Sequence, residues 1–154
     1  MSKIETRLAD LGVTLPNAPA PAANYVPFVI SGNMVYISGQ ISRDAGGGLI
    51  TGKLGADMDV AQGAEAAKTC AIALLAQLKA ACGGDLGRVV RAVKLVGFVN
   101  STPDFVDQPK VINGASDFLV AAMGEAGRHA RSAVSAAALP LGVAVEIEAI
   151  FEVR

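Results

Sequence analysis

The chain has no tryptophan, one histidine and two cysteines among 154 residues. With His129 alone and no cysteine pair at ligand spacing, the side chains from which protein metal sites are built are nearly missing, and no metal is expected. Cys70 and Cys82 fall twelve residues apart in one predicted helix. That is roughly 18 Å of rise, too far for a disulfide within the helix. Two reduced thiols are the expectation, in keeping with a cytoplasmic protein. Charge is also scarce, at 18% of residues with a net charge of −1. No basic run stands out and the few aromatics are not interleaved with Lys or Arg, which argues against a nucleic-acid surface. Met1-Ser2-Lys3-Ile4-Glu5 lacks the apolar core of a signal peptide, and no stretch is long and uncharged enough to span a bilayer.

Small apolar residues are in excess. The hydrophobic share is 52%, much of it Ala and Val. This composition fits a tightly packed core together with a surface partly covered by other copies of the chain. The length suits a single domain, residues 1–154.

Ile4, Leu8 and Leu11 recur at helical spacing, with Gly12 as a stop. A Pro/Ala/Asn segment, 16–24, reads as an extended arm, so that residues 1–24 form a leading helix and arm. Two short apolar runs, 25–30 and 34–38, flank Ser31-Gly32-Asn33 and predict a hairpin. A Gly-rich loop covers 46–59. Val60, Ala64, Ala67, Ala71, Leu74, Leu78 and Ala81 define a long helix over 60–82, ended by Gly83-Gly84. Residues 89–99 read as a strand. Asp107 is the expected N-cap of a second helix with apolar face Val111, Ile112, Ala115, Phe118, Leu119, Ala122 and Met123. Residues 143–153 alternate strictly and predict a strand with one buried face, and 132–138 is expected to pair with it as a hairpin across 139–142. The order is β-β-α-β-α-β-β after a short helix: an α+β domain with one sheet and two helices packed on one face. The other sheet face has no element left to cover it, which predicts an oligomer.

Gly47-Gly48-Leu49-Ile50-Thr51-Gly52-Lys53-Leu54 is close to a phosphate-binding loop, but Leu54 stands where the Mg²⁺-ligating hydroxyl belongs. A Gly-rich hairpin loop is the better reading. His129 is either an exposed loop residue or part of a cleft. A Ser-His-Asp relay would have to use it, and no nucleophile elbow is present. Arg131 opens a segment of small apolar residues, where an unpaired guanidinium is costly. Two partners are open on charge pattern: Glu146 or Glu148 across the hairpin, as a structural ion pair, or a ligand carboxylate gripped by the guanidinium fork.

Ala130-Arg131-Ser132-Ala133-Val134, then Leu139-Pro140, then Val145-Glu146-Ile147-Glu148-Ala149-Ile150 resembles the signature of the RidA/YjgF family. Gly32-Asn33 followed by Ser38-Gly39-Gln40, Tyr25 before the first strand and Asn113 in the second helix are similar to further family positions. Two stretches, 107–116 and 124–134, resemble a distinct branch rather than the archetypal RidA. The resemblance implies a chorismate-mutase-like fold, three copies closing a barrel-like homotrimer, and sites in clefts between subunits. It implies hydrolysis of reactive enamine or imine intermediates of the 2-aminoacrylate type to a 2-keto acid and ammonia, without a cofactor. In that reading Arg131 holds the substrate carboxylate and Glu146 positions or activates the attacking water. Backbone groups near Gly32 and Ala133 hold the substrate, Tyr25 and Asn113 line the cleft, and His129 joins the substrate-binding residues. The family's usual cysteine is Ala133 here, which excludes a thiol role at that position. The competing readings are a non-catalytic module that binds keto acids or amino acids, and an endoribonuclease or translation inhibitor, which the charge balance disfavours.

Overall fold

The structure is a computed structural model that describes residues 1–20 and 23–154. A capped helix leads the chain. In α1, Lys3–Asp10, the Ser2 hydroxyl accepts from the Glu5 amide, while the Glu5 carboxylate accepts from the Ser2 amide. Ile4 and Leu8 are buried, and α1 packs on the second long helix. The expected arm, 16–24, runs through Pro21 and Ala22, which lie outside the described residues; its described parts carry neither helix nor strand.

The first hairpin joins β1, Phe28–Ser31, to β2, Met34–Ile41. Ser31 faces Met34, and Gly32 at φ 60 with Asn33 at negative φ makes the two-residue turn whose twist matches that of the strands. The 46–59 loop is held against the sheet, with Ile50 N–H donating to the Ser42 carbonyl and Ala144 N–H to the Ile50 carbonyl. α2, Val60–Ala81, starts from a capping box between Asp59 and Gln62. β3, Val89–Asn100, leads to α3, Gln108–Met123. Asp107 is the N-cap of α3 as expected, yet its side chain makes no cap hydrogen bond. β4, Ala130–Ala136, and β5, Val145–Val153, complete the chain.

The five strands stand in the order β1-β2-β5-β3-β4. β4 runs parallel to β3, and β5 lies antiparallel between β2 and β3. The expected β4–β5 hairpin is therefore absent. The crossover through α3 brings the chain back beside β3 in the same direction. A turn over Pro140–Gly142, with Leu141 at φ 61, then carries it past β3 to the centre. β5 is the most regularly alternating strand, and its buried row of Val145, Ile147, Ala149, Phe151 and Val153 is best covered between two neighbours.

α2 and α3 both lie on one sheet face. The Ala-rich composition serves their contact. A methyl on Gly114 would come 2.0 Å from the Ala64 carbonyl oxygen, and one on Gly63 would meet Leu54 and Val111. The helices thus approach closely enough for backbone to touch side chain, as only small residues allow. Leu74, Leu75 and Leu78 of α2 and Ile112 and Leu119 of α3 bury completely, in one core with Val35, Leu95, Ile147 and Phe151 of the sheet. The opposite face is open: Val29 and Tyr36 are exposed, with Lys94, Val96, Glu148 and Ile150 around a shallow depression of about 280 Å³.

Candidate functional site

Register decides where each candidate side chain points. Ile37, Ala149, Leu95 and Arg131 form one row across four strands, and Leu95 and Ala149 are buried under the helices. Arg131 therefore faces α3. Ile41, Glu146, Phe98 and Val134 form another row on the opposite, open face.

Arg131 reaches along α3 from the edge strand β4. Its Nη1 donates to Asn113 Oδ1 at 2.9 Å and to Ser116 Oγ at 3.1 Å, and its Nη2 donates to the Pro109 carbonyl at 3.2 Å. Pro109, Asn113 and Ser116 follow one another at steps of four and three, one helix face. All three acceptors are uncharged. Among the described residues no carboxylate pairs with Arg131, so the structural ion pair with Glu146 or Glu148 is not formed. Among the described residues three of the five guanidinium hydrogens are used; Nε–H and one Nη2–H remain for a further acceptor such as a carboxylate.

His129 is half-buried beside this arginine rather than exposed. Its Nδ1 lies 2.6 Å from the Gly127 carbonyl and its Nε2 lies 2.9 Å from Ser116 Oγ. Ala133, on the same face of β4 two residues beyond Arg131, packs against the core.

Glu146 sits two strands away on the open face. Gly39 makes room for it: a methyl there would come 2.5 Å from Glu146 Oε1. Burial, with the neighbouring Glu148 charge as the lesser cause, holds the Glu146 carboxyl above the usual glutamate range. Tyr25 is exposed ahead of β1, and Gly32 forms the β1–β2 turn. Both belong to the sheet edge opposite β4. One chain thus brings together Arg131, Asn113, His129 and Ala133, and keeps Glu146, Tyr25 and Gly32 apart from them.

Sequence reasoning did not single out Ser116 or the steric role of Gly39. The sequence did offer the shared helical face of Pro109, Asn113 and Ser116, but no local pattern joins that face to His129, just ahead of β4, and Arg131 within it. Lys53, from the loop resembling a phosphate-binding motif, is committed internally to Asn100 Oδ1 and the Ala137 carbonyl. Among the described residues no three His, Cys, Asp or Glu side chains gather as a metal site would require, and no helix is long and apolar enough to cross a membrane.

The family model for "YjgF/chorismate_mutase-like, putative endoribonuclease" matches residues 5–152. The chain belongs to the RidA/YjgF family. Protein TCP17 of Trypanosoma cruzi, a family relative, is 49% identical over 153 residues, covering 99% of this chain and 95% of that protein. Among solved RidA/YjgF-like structures, Atu1372 from Agrobacterium tumefaciens, described as of unknown function, is 53% identical with a TM-score of 0.92, covering 99% of this chain and 93% of that one. RidA from an Antarctic Psychrobacter is 31% identical with a TM-score of 0.54, covering 89% and 94%. The chain shares the family fold and lies structurally nearer to Atu1372 than to that RidA, as a divergent branch does.

Proposed function

We propose that this chain hydrolyses small carboxylate-bearing imines or enamines to 2-keto acids and ammonia, in clefts formed between copies of the chain. The observation that carries this reading is the Arg131 guanidinium, held by three neutral acceptors and left with its charge and two donors free. A charge-assisted hydrogen bond of the kind it offers contributes about 1.5–3 kcal/mol.

The chemistry asks little more. Water adds to the electrophilic imine carbon, the resulting carbinolamine expels ammonia, and the C=O of the keto acid forms. Glu146, its carboxyl held above the usual glutamate range by burial, suits the proton traffic: it takes a proton from water and returns it to the departing nitrogen. Orientation supplies the rest, and no cofactor is called for.

The division of candidate residues between both sheet edges supports assembly. Arg131 lies at the β4 edge, Tyr25 and Gly32 at the β1 edge, and Glu146 on the open face. A closed ring of copies, a homotrimer in this proposal, sets the β1 edge of one chain beside the β4 edge of the next and covers the open face.

The test is keto-acid release from 2-aminoacrylate generated in situ by a dehydratase, with semicarbazide competing for the imine. Wild type should accelerate release and Arg131→Ala should not. If neither does, while wild type still binds pyruvate through Arg131, the chain is a carboxylate-binding module instead. Ribonuclease activity that survives Arg131→Ala and falls steeply with salt would replace both readings with the endoribonuclease one.

A further inference from the structure

Ser116 and His129 are not needed for carboxylate binding as such, yet they stand in one hydrogen-bonded chain with Arg131. The directions in that chain follow from chemistry. The Gly127 carbonyl can only accept, so the ring proton of the neutral imidazole resides on Nδ1, 2.6 Å away. With the ring neutral, Nε2 is the acceptor and the Ser116 hydroxyl 2.9 Å away donates to it. With its only proton committed, Ser116 Oγ presents lone pairs alone to the space where Arg131 Nη1 lies, at 3.1 Å. An arginine offers only donors, so it needs an acceptor at this point. A serine whose proton could turn toward Nη1 would meet the guanidinium as a second donor.

We propose that Ser116 and His129 act as a positioning pair for Arg131. His129 makes Ser116 an obligate acceptor, and Ser116 fixes the third corner of a guanidinium already held at Asn113 and Pro109. Three acceptors along one helix face set both the tilt of the guanidinium plane and the edge it leaves free. The ligand class is accordingly narrow: a planar carboxylate approaching Nε–H and Nη2–H from outside β4. This proposal rests on the reading of Arg131 as a carboxylate anchor for its consequence, but not for its geometry.

Two measurements test it separately. The first needs no ligand. In ¹⁵N NMR of the full chain, His129 should carry its proton on Nδ1. The Arg131 guanidinium N–H signals should be resolved in wild type and averaged by rotation in Ser116→Ala and His129→Ala. His129→Gln, whose amide oxygen can take the place of Nε2, should restore them in part. The second is pyruvate binding. His129→Ala and Ser116→Ala should each weaken it roughly five- to tenfold, the order expected for a lost anchor restraint. The double variant should be no weaker than Ser116→Ala, since His129 acts only through Ser116.

Unchanged Arg131 signals in His129→Ala would overturn the pair, whatever the ligand result. So would additive losses in the double variant, or covalent labelling of Ser116 by a fluorophosphonate, which would make it a nucleophile. If the signals behave as expected and wild type binds no pyruvate, the carboxylate reading fails while the positioning pair stands.

Discussion

Gly39 and Glu146 show how one missing methyl places a functional group. A Cβ on residue 39 would come 2.5 Å from Glu146 Oε1, too close for both to stay in place. Gly39→Ala should therefore push the carboxylate aside and lower imine turnover by an order of magnitude or more, while shifting Tm little, because residue 39 is exposed. Comparing kcat with a thermal melt checks this. Glu146 also carries a stability cost. Its carboxyl is raised by burial and then by Glu148, so the folded chain holds that proton more tightly than the unfolded chain. Stability from this group is greatest below the ordinary glutamate range. It declines as pH rises from that range through the raised value, and above it the cost is complete. Glu146→Gln should accordingly abolish turnover yet raise Tm at neutral pH by about one or two degrees, a gain that vanishes in acid. The same burial logic applies to Cys70: its thiol is pushed far up and donates to the Val145 carbonyl. Cys70 should stay unreactive toward thiol reagents until the protein is unfolded.

At the scale of elements, the closeness of α2 and α3 is the most exposed feature. Gly114→Ala places a methyl 2.0 Å from the Ala64 carbonyl oxygen, a backbone atom that cannot swing away. The helices must separate, at a cost of about 1–3 kcal/mol or more, and denaturant melts would read it as a lower midpoint. Periodicity made most elements legible: the steps of three and four in α2 and α3, the strict alternation in β5 and the Gly-Asn turn. What it could not convey was partnership. The segment carrying Arg131 is short, and its small residues pair equally well with either neighbour in the sequence. Only the crossover through α3 decides that it lies parallel to β3. The same limit hid Ser116. Its hydroxyl acquires meaning from His129, thirteen residues away on another element, and no local period joins a helix face to a strand face. Arg131 was recognisable as an anchor from its family-like surroundings, but its acceptors on α3 had to be seen.

For the whole molecule, one sheet face is shielded by two helices while the other exposes Val29 and Tyr36 around Lys94 and Glu148. Covering it with further copies, as proposed, would account for a composition so poor in charge. Light scattering at micromolar concentration should give three times the mass of the chain. A monomer would remove the cleft and the reaction with it, while leaving the fold intact.

The placement of Arg131 and Glu146 on opposite faces has an arithmetical consequence for such an assembly. If each reaction centre draws its anchor from one copy and its base from the next, two individually dead proteins carry complementary halves. Mixed after dissociation and allowed to reassociate at random in equal amounts, Arg131→Ala and Glu146→Gln would rebuild an intact centre wherever a copy with its arginine adjoins one with its glutamate. The mixture would regain about a quarter of wild-type activity, a pairing probability that follows from closed rings of identical interfaces. Catalysis would then be inherited by the contact between neighbours rather than by any single polypeptide.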